Sequence, residues 1–224
     1  MSAGRLIVLE GPEAAGKSTQ TRRLESWLRA RNVPFHAWPE PGGTALGTEI
    51  RRLLLDGSRS ISGGAEALLF MASRAELIAC QVRPALAAGH TVLLDRFFLS
   101  TYAYQIFGRG LPEDEVRKAN ALATRGVVPQ VTLLLTVPAS EREERARRRG
   151  AGDRMEAAGR EFHRRVEAAF DTFATPSWQS SHPECGPIIP IEGAGTEDDV
   201  FSRVLLALSS YWPETFTMSG KSHS

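Results

Sequence analysis

Residues 11–18 read Gly-Pro-Glu-Ala-Ala-Gly-Lys-Ser, and no other stretch of the chain restricts its fold as much. The pattern G-x-x-x-x-G-K-[ST] works only between a strand and a helix. Its glycines let the loop turn backbone N–H groups inward around phosphate oxygens, and the start of the following helix adds positive potential. Both neighbours are legible here. Residues 5–10, RLIVLE, form a short run rich in strand formers, and residues 17 to about 31 have helix-compatible composition. Gly11, Pro12, Glu13, Ala14, Ala15, Gly16, Lys17, Ser18 and Thr19 are therefore expected to hold ATP, with Lys17 on the β- and γ-phosphates and the Ser18 hydroxyl on Mg²⁺. GTPases, ATPase motors and kinases share such a loop, so it fixes the phosphate donor and leaves the acceptor open.

The rest of the chain extends the strand–helix alternation. Short apolar runs recur at 33–38, 91–95, 131–137 and 188–191, with helix-compatible segments between them, which predicts a five-stranded parallel sheet covered by helices on both faces. The longest helical stretch spans 65–88, where Leu68, Ala72, Ala75, Ala79, Val82 and Leu86 make one apolar stripe suited to the core or a subunit interface. Residues 138–175 are rich in Arg and Glu and read as two helices around a Gly-Ala-Gly break at 150–152.

Charge and cysteine content narrow the partners. A formal net charge of +1 gives no whole-chain signal for nucleic acid or membrane, so ligand charge must be met by local clusters. No stretch reaches the roughly 18 apolar residues of a membrane span. The apolar run that begins at Leu6 is ended by Glu10 before a signal-peptide core could form. The two cysteines, Cys80 and Cys185, fit neither a disulfide framework nor a metal site, and two free thiols imply a reducing, cytoplasmic setting.

Three further segments point to a particular acceptor. They are Glu40-Pro-Gly-Gly-Thr44 followed by Arg51; Leu68-Leu-Phe-Met-Ala-Ser-Arg74; and Asp95-Arg96 followed by Ser100, Thr101, Tyr104 and Gln105. Helical spacing puts Phe70 and Arg74 on one face. Asp95 and Arg96 end a strand run, where α/β sheets gather their ligands. Together with Asp153-Arg154-Met-Glu156 and Phe162-His163, these segments resemble the thymidylate kinase family from residue 5 to about residue 208.

The resemblance implies a P-loop nucleoside monophosphate kinase fold and transfer of the γ-phosphate of ATP to dTMP, giving dTDP and ADP. It implies that Phe70 stacks on thymine, that Arg74, Thr101 and Gln105 contact the base's polar edge, and that Ser100 lies in the same acceptor run. Glu13 would sit near the sugar 3′-hydroxyl, Tyr104 beside C2′, and Arg51 and Arg96 on the acceptor phosphate, with Asp95 and Ser18 at Mg²⁺. It also implies a homodimer. One kinase domain is expected over 1–212, with a lid at approximately 142–156 and a disordered tail over 213–224.

The acceptor oxygen is ionised near neutral pH, so positioning and charge stabilisation carry the reaction and no general base is needed. The loop's variable residues, Pro-Glu-Ala-Ala, include no base, so the resemblance assigns the catalytic arginine to the lid, at Arg149 or Arg154, beside Lys17 and Arg96. Several arginines of 145–154 would instead pair with Glu141, Glu143 and Glu144 along a solvated helix face. One position departs from the family pattern T-R-E-P-G-G-T: Pro39 stands where an arginine is expected. A lost arginine–phosphate contact weakens binding by roughly ten-fold or more unless Arg51, Arg52 or Arg96 compensates. Two alternatives thus remain open: a modified deoxypyrimidine monophosphate as acceptor, and a nucleotide-binding protein without turnover.

Overall fold

The computed structural model describes residues 4–149, 154–155 and 158–217, the side chains of 146, 148 and 149 excepted. Strands are β1 (Arg5–Glu10), β2 (Phe35–Pro39), β3 (Thr91–Asp95), β4 (Val131–Thr136) and β5 (Ile188–Glu192). Helices in the first half are α1 (Lys17–Ala30), α2 (Ala45–Leu55), α3 (Gly63–Leu77), α4 (Arg83–Ala87) and α5 (Phe98–Thr101). Those in the second half are α6 (Glu113–Thr124), α7 (Ala139–Arg149), α8 (Arg160–Phe173), α9 (Pro176–Ser181), α10 (Glu197–Ser209) and α11 (Pro213–Phe216).

The strands form one parallel sheet in the order β2-β3-β1-β4-β5. Alternate residues of β1 enter opposite cores: Leu6 and Val8 pack with α3, α8 and the segment after α5, whereas Ile7 and Leu9 pack with α1 and α10. A strand buried on both faces cannot alternate apolar with polar, which is why RLIVLE reads as a nearly continuous apolar run.

The long helical stretch is continuous but not uniform. A π-helical turn, Ile78–Val82, joins α3 to α4. Pro84 lies in the first turn of α4 and has no N–H to donate, so the regular hydrogen-bond ladder cannot run straight through. A second π-helical segment, Tyr102–Gly108, continues α5. The apolar stripe of this stretch divides: Leu68 is 66% exposed, and Ala72 and Ala79 are also on the surface, whereas Val82 is fully buried and Leu86 packs against the core. Met71, Leu77 and Ile78 face the interior instead.

The expected disordered tail needs correction at its start. Pro213–Phe216 is helical, Phe216 is fully buried, and Arg5 donates to Thr215 (2.7 Å) and Glu214 (2.7 Å). A polar sequence concealed one aromatic anchor that packs against the sheet face covered by α1 and α10. Residues 218–224 lie outside the described residues.

Candidate active site

A cavity of about 800 Å³ opens beyond the C-terminal ends of the strands. Its floor is the loop between β1 and α1. Gly11 (φ 142°), Ala14 (φ 57°) and Gly16 (φ 97°) all take positive φ, which curls the backbone. Gly11 is doubly constrained, since a Cβ there would also lie 2.5 Å from the Leu135 carbonyl oxygen. Lys17 Nζ donates to the carbonyls of Gly11 (2.9 Å) and Pro12 (2.8 Å). Burial, helped by the nearby positive charge of Arg96, lowers the Lys17 pKa to about 7.

Beside the loop, the Ser18 hydroxyl donates to Asp95 Oδ2 (2.8 Å), so a side chain from α1 and one from the end of β3 converge. A hydroxyl next to a carboxylate is a hard-oxygen donor set that suits Mg²⁺. The next residue, Arg96, has φ 80°, a left-handed conformation uncommon outside glycine that costs on the order of 1–3 kcal/mol. Its N–H donates to the Leu9 carbonyl (3.0 Å), its Nη1 donates to Ser100 Oγ (3.0 Å), and its guanidinium lies over the Tyr104 ring. Ser100 in turn donates to Glu10 Oε2 (2.6 Å), while Glu10 Oε1 accepts the N–H groups of Phe97 (2.7 Å) and Ser100 (3.1 Å). Glu10 thus caps the start of α5 from the end of β1, a role sequence reading missed because the partners are about ninety positions away.

At the acceptor end, Arg74 is held on three sides. It donates to both Glu40 oxygens (2.6 Å each), to the Phe97 carbonyl (2.8 Å) and to Asn120 Oδ1. Four of its five N–H groups are thereby placed, and Arg74 is one of the residues of the cavity wall. Burial pushes the Glu40 carboxyl above the usual carboxylate range against the pull of Arg74. Phe70 is half-buried and also lines the cavity, rather than filling core. Arg51 donates to the Pro41 carbonyl (2.9 Å), and Pro39 forms part of the wall, so no cation stands at that position.

The expected substrate residues Glu13, Arg51, Phe70, Arg74, Arg96, Ser100, Thr101, Tyr104 and Gln105 all line this one cavity. The arginine-rich segment divides differently from the expectation. Arg154 bonds to the Leu54 carbonyl (2.7 Å) and Glu66 (2.7 Å) and does not itself line the cavity, although Leu55 and Met155 beside it do. Arg145, which was not singled out, lies against the loop. Its Nη1 approaches the Ala14 carbonyl (3.5 Å), and its Nη2 donates to the Gly193 carbonyl (2.9 Å) and to Glu141. The side chain of Arg149, and residues Asp153 and Glu156, lie outside the described residues. Glu141 and Arg145 at i,i+4 do form the helical pair expected of that face.

A family profile described as Thymidylate kinase matches residues 9–181. The thymidylate kinase of Deinococcus radiodurans is 42% identical over 209 residues, 93% of this chain and 98% of that protein. That of Chlorobium chlorochromatii is 44% identical over 178 residues, 75% of this chain and 80% of its own length. The crystal structure of thymidylate kinase from Ehrlichia chaffeensis superimposes with a TM-score of 0.72 at 25% identity, covering 93% of this chain and all of that one.

Proposed function

The chain belongs to the thymidylate kinase family, ATP-dependent phosphotransferases that convert dTMP to dTDP, and from that premise we propose how its residues divide the reaction. Lys17 and the backbone of 11–19 hold the ATP phosphates. Arg51 and Arg96 hold the dTMP phosphate, and Phe70 stacks on thymine while Arg74, Thr101 and Gln105 meet its polar edge. Tyr104 and Glu13 flank the sugar, with Ser100 supporting Arg96. The observation that carries this reading is the single cavity of about 800 Å³ that joins the phosphate loop, the Ser18–Asp95 pair and the acceptor residues.

Ser18 and Asp95 would hold Mg²⁺, whose charge, when bound, offsets the charge developing on the phosphate oxygens. The remaining catalysis is positional. Lys17 and Arg96 bring donor and acceptor phosphates together in a partly buried site, where charge stabilisation is stronger than in water. Arg145 belongs to the donor end, since it bridges the phosphate loop and the loop after β5. We assign the segment 142–156 as the lid and Arg149 as its catalytic arginine. The assignment of Arg154 moves to the acceptor side, because its hydrogen bonds run to Leu54 and Glu66.

The exposed Leu68 and Ala72 of α3, Ala79 of the π-helical turn after it and Leu46 of α2 supply an apolar face for a homodimer, with Leu68 66% and Leu46 51% exposed. Among the described residues no helix is long and apolar enough to cross a membrane, which is compatible with a cytoplasmic enzyme. ADP release from ATP in the presence of a panel of nucleoside monophosphates tests the acceptor. Turnover should be highest with dTMP, and preference for another pyrimidine monophosphate would show that Pro39 accompanies a changed acceptor.

A further inference from the structure

Behind Gln105 lies a carboxylate that the reaction itself does not use. Glu66, in the first turn of α3, is fully buried and accepts four hydrogen bonds. Arg109 donates to both of its oxygens (3.0 and 2.8 Å), Arg154 donates to Oε2 (2.7 Å), and Gln105 Nε2 donates to Oε1 (3.2 Å). Burial opposes its ionisation, but the bonds from Arg109 and Arg154 outweigh that and hold its carboxyl below the usual range. It is therefore a charged, acceptor-only group with all of its roughly four lone-pair positions occupied.

An acceptor-only neighbour fixes the orientation of an amide. Were Gln105 flipped, its Oε1 would face the carboxylate oxygen, and one buried bond would become a repulsion. Nε2 therefore points to Glu66, and Oε1, which has no hydrogen-bond partner among the described residues, belongs to the cavity side. Arg74, on the same cavity wall, can only donate. The wall thus presents a fixed donor and a fixed acceptor.

We propose that Glu66 is a specificity-determining positioning residue: by fixing the Gln105 amide it makes the site accept a base whose edge offers a carbonyl beside a ring N–H, and reject one offering an amine beside a bare ring nitrogen. Thymine has the first edge, with O4 facing Arg74 and N3–H facing Gln105 Oε1. Cytosine has the second, and both of its groups meet their own kind. This inference rests on the reading of Arg74 and Gln105 as the residues that meet the base.

Glu66→Gln tests it. The new carboxamide keeps its oxygen on the Nη2 groups of Arg109 and Arg154 and, at the cost of the bond from Arg109 Nε, turns its amine toward Gln105, which frees Gln105 to flip. The ratio of kcat/KM for dTMP over dCMP should fall by about ten-fold or more, through a raised KM for dTMP, with kcat and the KM for ATP near wild type. In a Gln105→Met background the same substitution should leave the ratio unchanged. An unchanged ratio in folded Glu66→Gln overturns the proposal, as does an equal loss in the Gln105→Met background. Should the uncompensated arginines keep Glu66→Gln from folding, Glu66→Gln/Arg154→Met compared with Arg154→Met reads the same ratio with the local charge balanced, and the same outcomes decide. N3-methyl-dTMP with the wild-type enzyme separates the two layers. Turnover equal to that of dTMP removes the base-edge reading and the proposal with it, whereas its rejection alongside an unchanged Glu66→Gln ratio removes only the role of Glu66.

Discussion

The two ends of the cavity are built from different materials. The donor end is mostly backbone: a loop of positive-φ residues, a helix start, and a lysine resting on the loop's own carbonyls. The acceptor end is mostly side chain, with guanidiniums and carboxylates locked in pairs such as Arg74–Glu40 and Arg109–Glu66. A backbone cradle suits a ligand part common to every nucleotide, because N–H groups recognise phosphate without reading a base. Side-chain pairs with fixed donor and acceptor directions suit the part that must be discriminated. Damage at the donor end should therefore lower turnover without altering selectivity, and damage at the acceptor end should alter stability and selectivity first.

The sharpest attempt to break that contrast is Lys17→Ala. Removing one preorganised charge at the transferred phosphate should lower kcat by about a thousand-fold. Values of kcat and of kcat/KM for dTMP and for dCMP should fall together, leaving the ratio of the two kcat/KM values within about two-fold of wild type. A shifted ratio would mean that the donor end also reads the base.

Glu40→Ala should act the other way. It strands the Arg74 guanidinium, which is 3% exposed, without its bidentate partner, and breaking a buried pair costs about 3–5 kcal/mol. Urea unfolding should show that loss as a lowered midpoint. Glu49→Ala at the exposed Arg52–Glu49 pair should leave the midpoint nearly unmoved, since both side chains there are already solvated.

The same difference in materials explains what was legible in the sequence. The strands, α1 and the loop glycines follow from local rules, and their boundaries agree with the structure to within about two residues. Asp95, Arg96 and Gln105 were picked out because their run resembles that of the thymidylate kinase family, and all three line the cavity. Glu66 was not, because a glutamate in the first turn of a helix has an ordinary local reason to be there, and its partners lie 39 to 88 positions away. Asn120, which bonds Arg74 across 46 positions, was invisible for the same reason. Arg145 was hidden among neighbouring arginines, and only its contact with a loop 131 positions earlier sets it apart. The apolar stripe of 65–88 shows another limit, since periodicity reports an apolar face but not what covers it: Leu68 is exposed where Val82 is buried.

Arg145 offers a milder test of the division. If it serves only the donor end, Arg145→Ala should raise the KM for ATP by about ten-fold, the worth of one charge-assisted hydrogen bond, and leave the KM for dTMP within about two-fold. Equal rises in both would mean that this arginine spans the two ends.

The smallest expected signal concerns the proton on Lys17. Its pKa is lowered to about 7, first by burial and then by Arg96, so above pH 7 a growing fraction of the free enzyme carries a neutral amine there. Triphosphate brought against that amine favours the charged form and raises its pKa. Binding of ATP at pH 8 should therefore take up a proton, by less than one per site, and the uptake should shrink as pH falls below 7, where Lys17 is already charged. Calorimetric titrations in buffers of different ionisation enthalpy measure this directly, and at pH 8 the terminal phosphate of ATP itself, with a pKa of about 6, contributes little. Lys17→Met should abolish the uptake. Uptake that survives the substitution would assign the proton to another group, while an absence of uptake in the wild type would mean that the acidic neighbours Asp95, Glu10 and Glu13 keep Lys17 charged despite its burial.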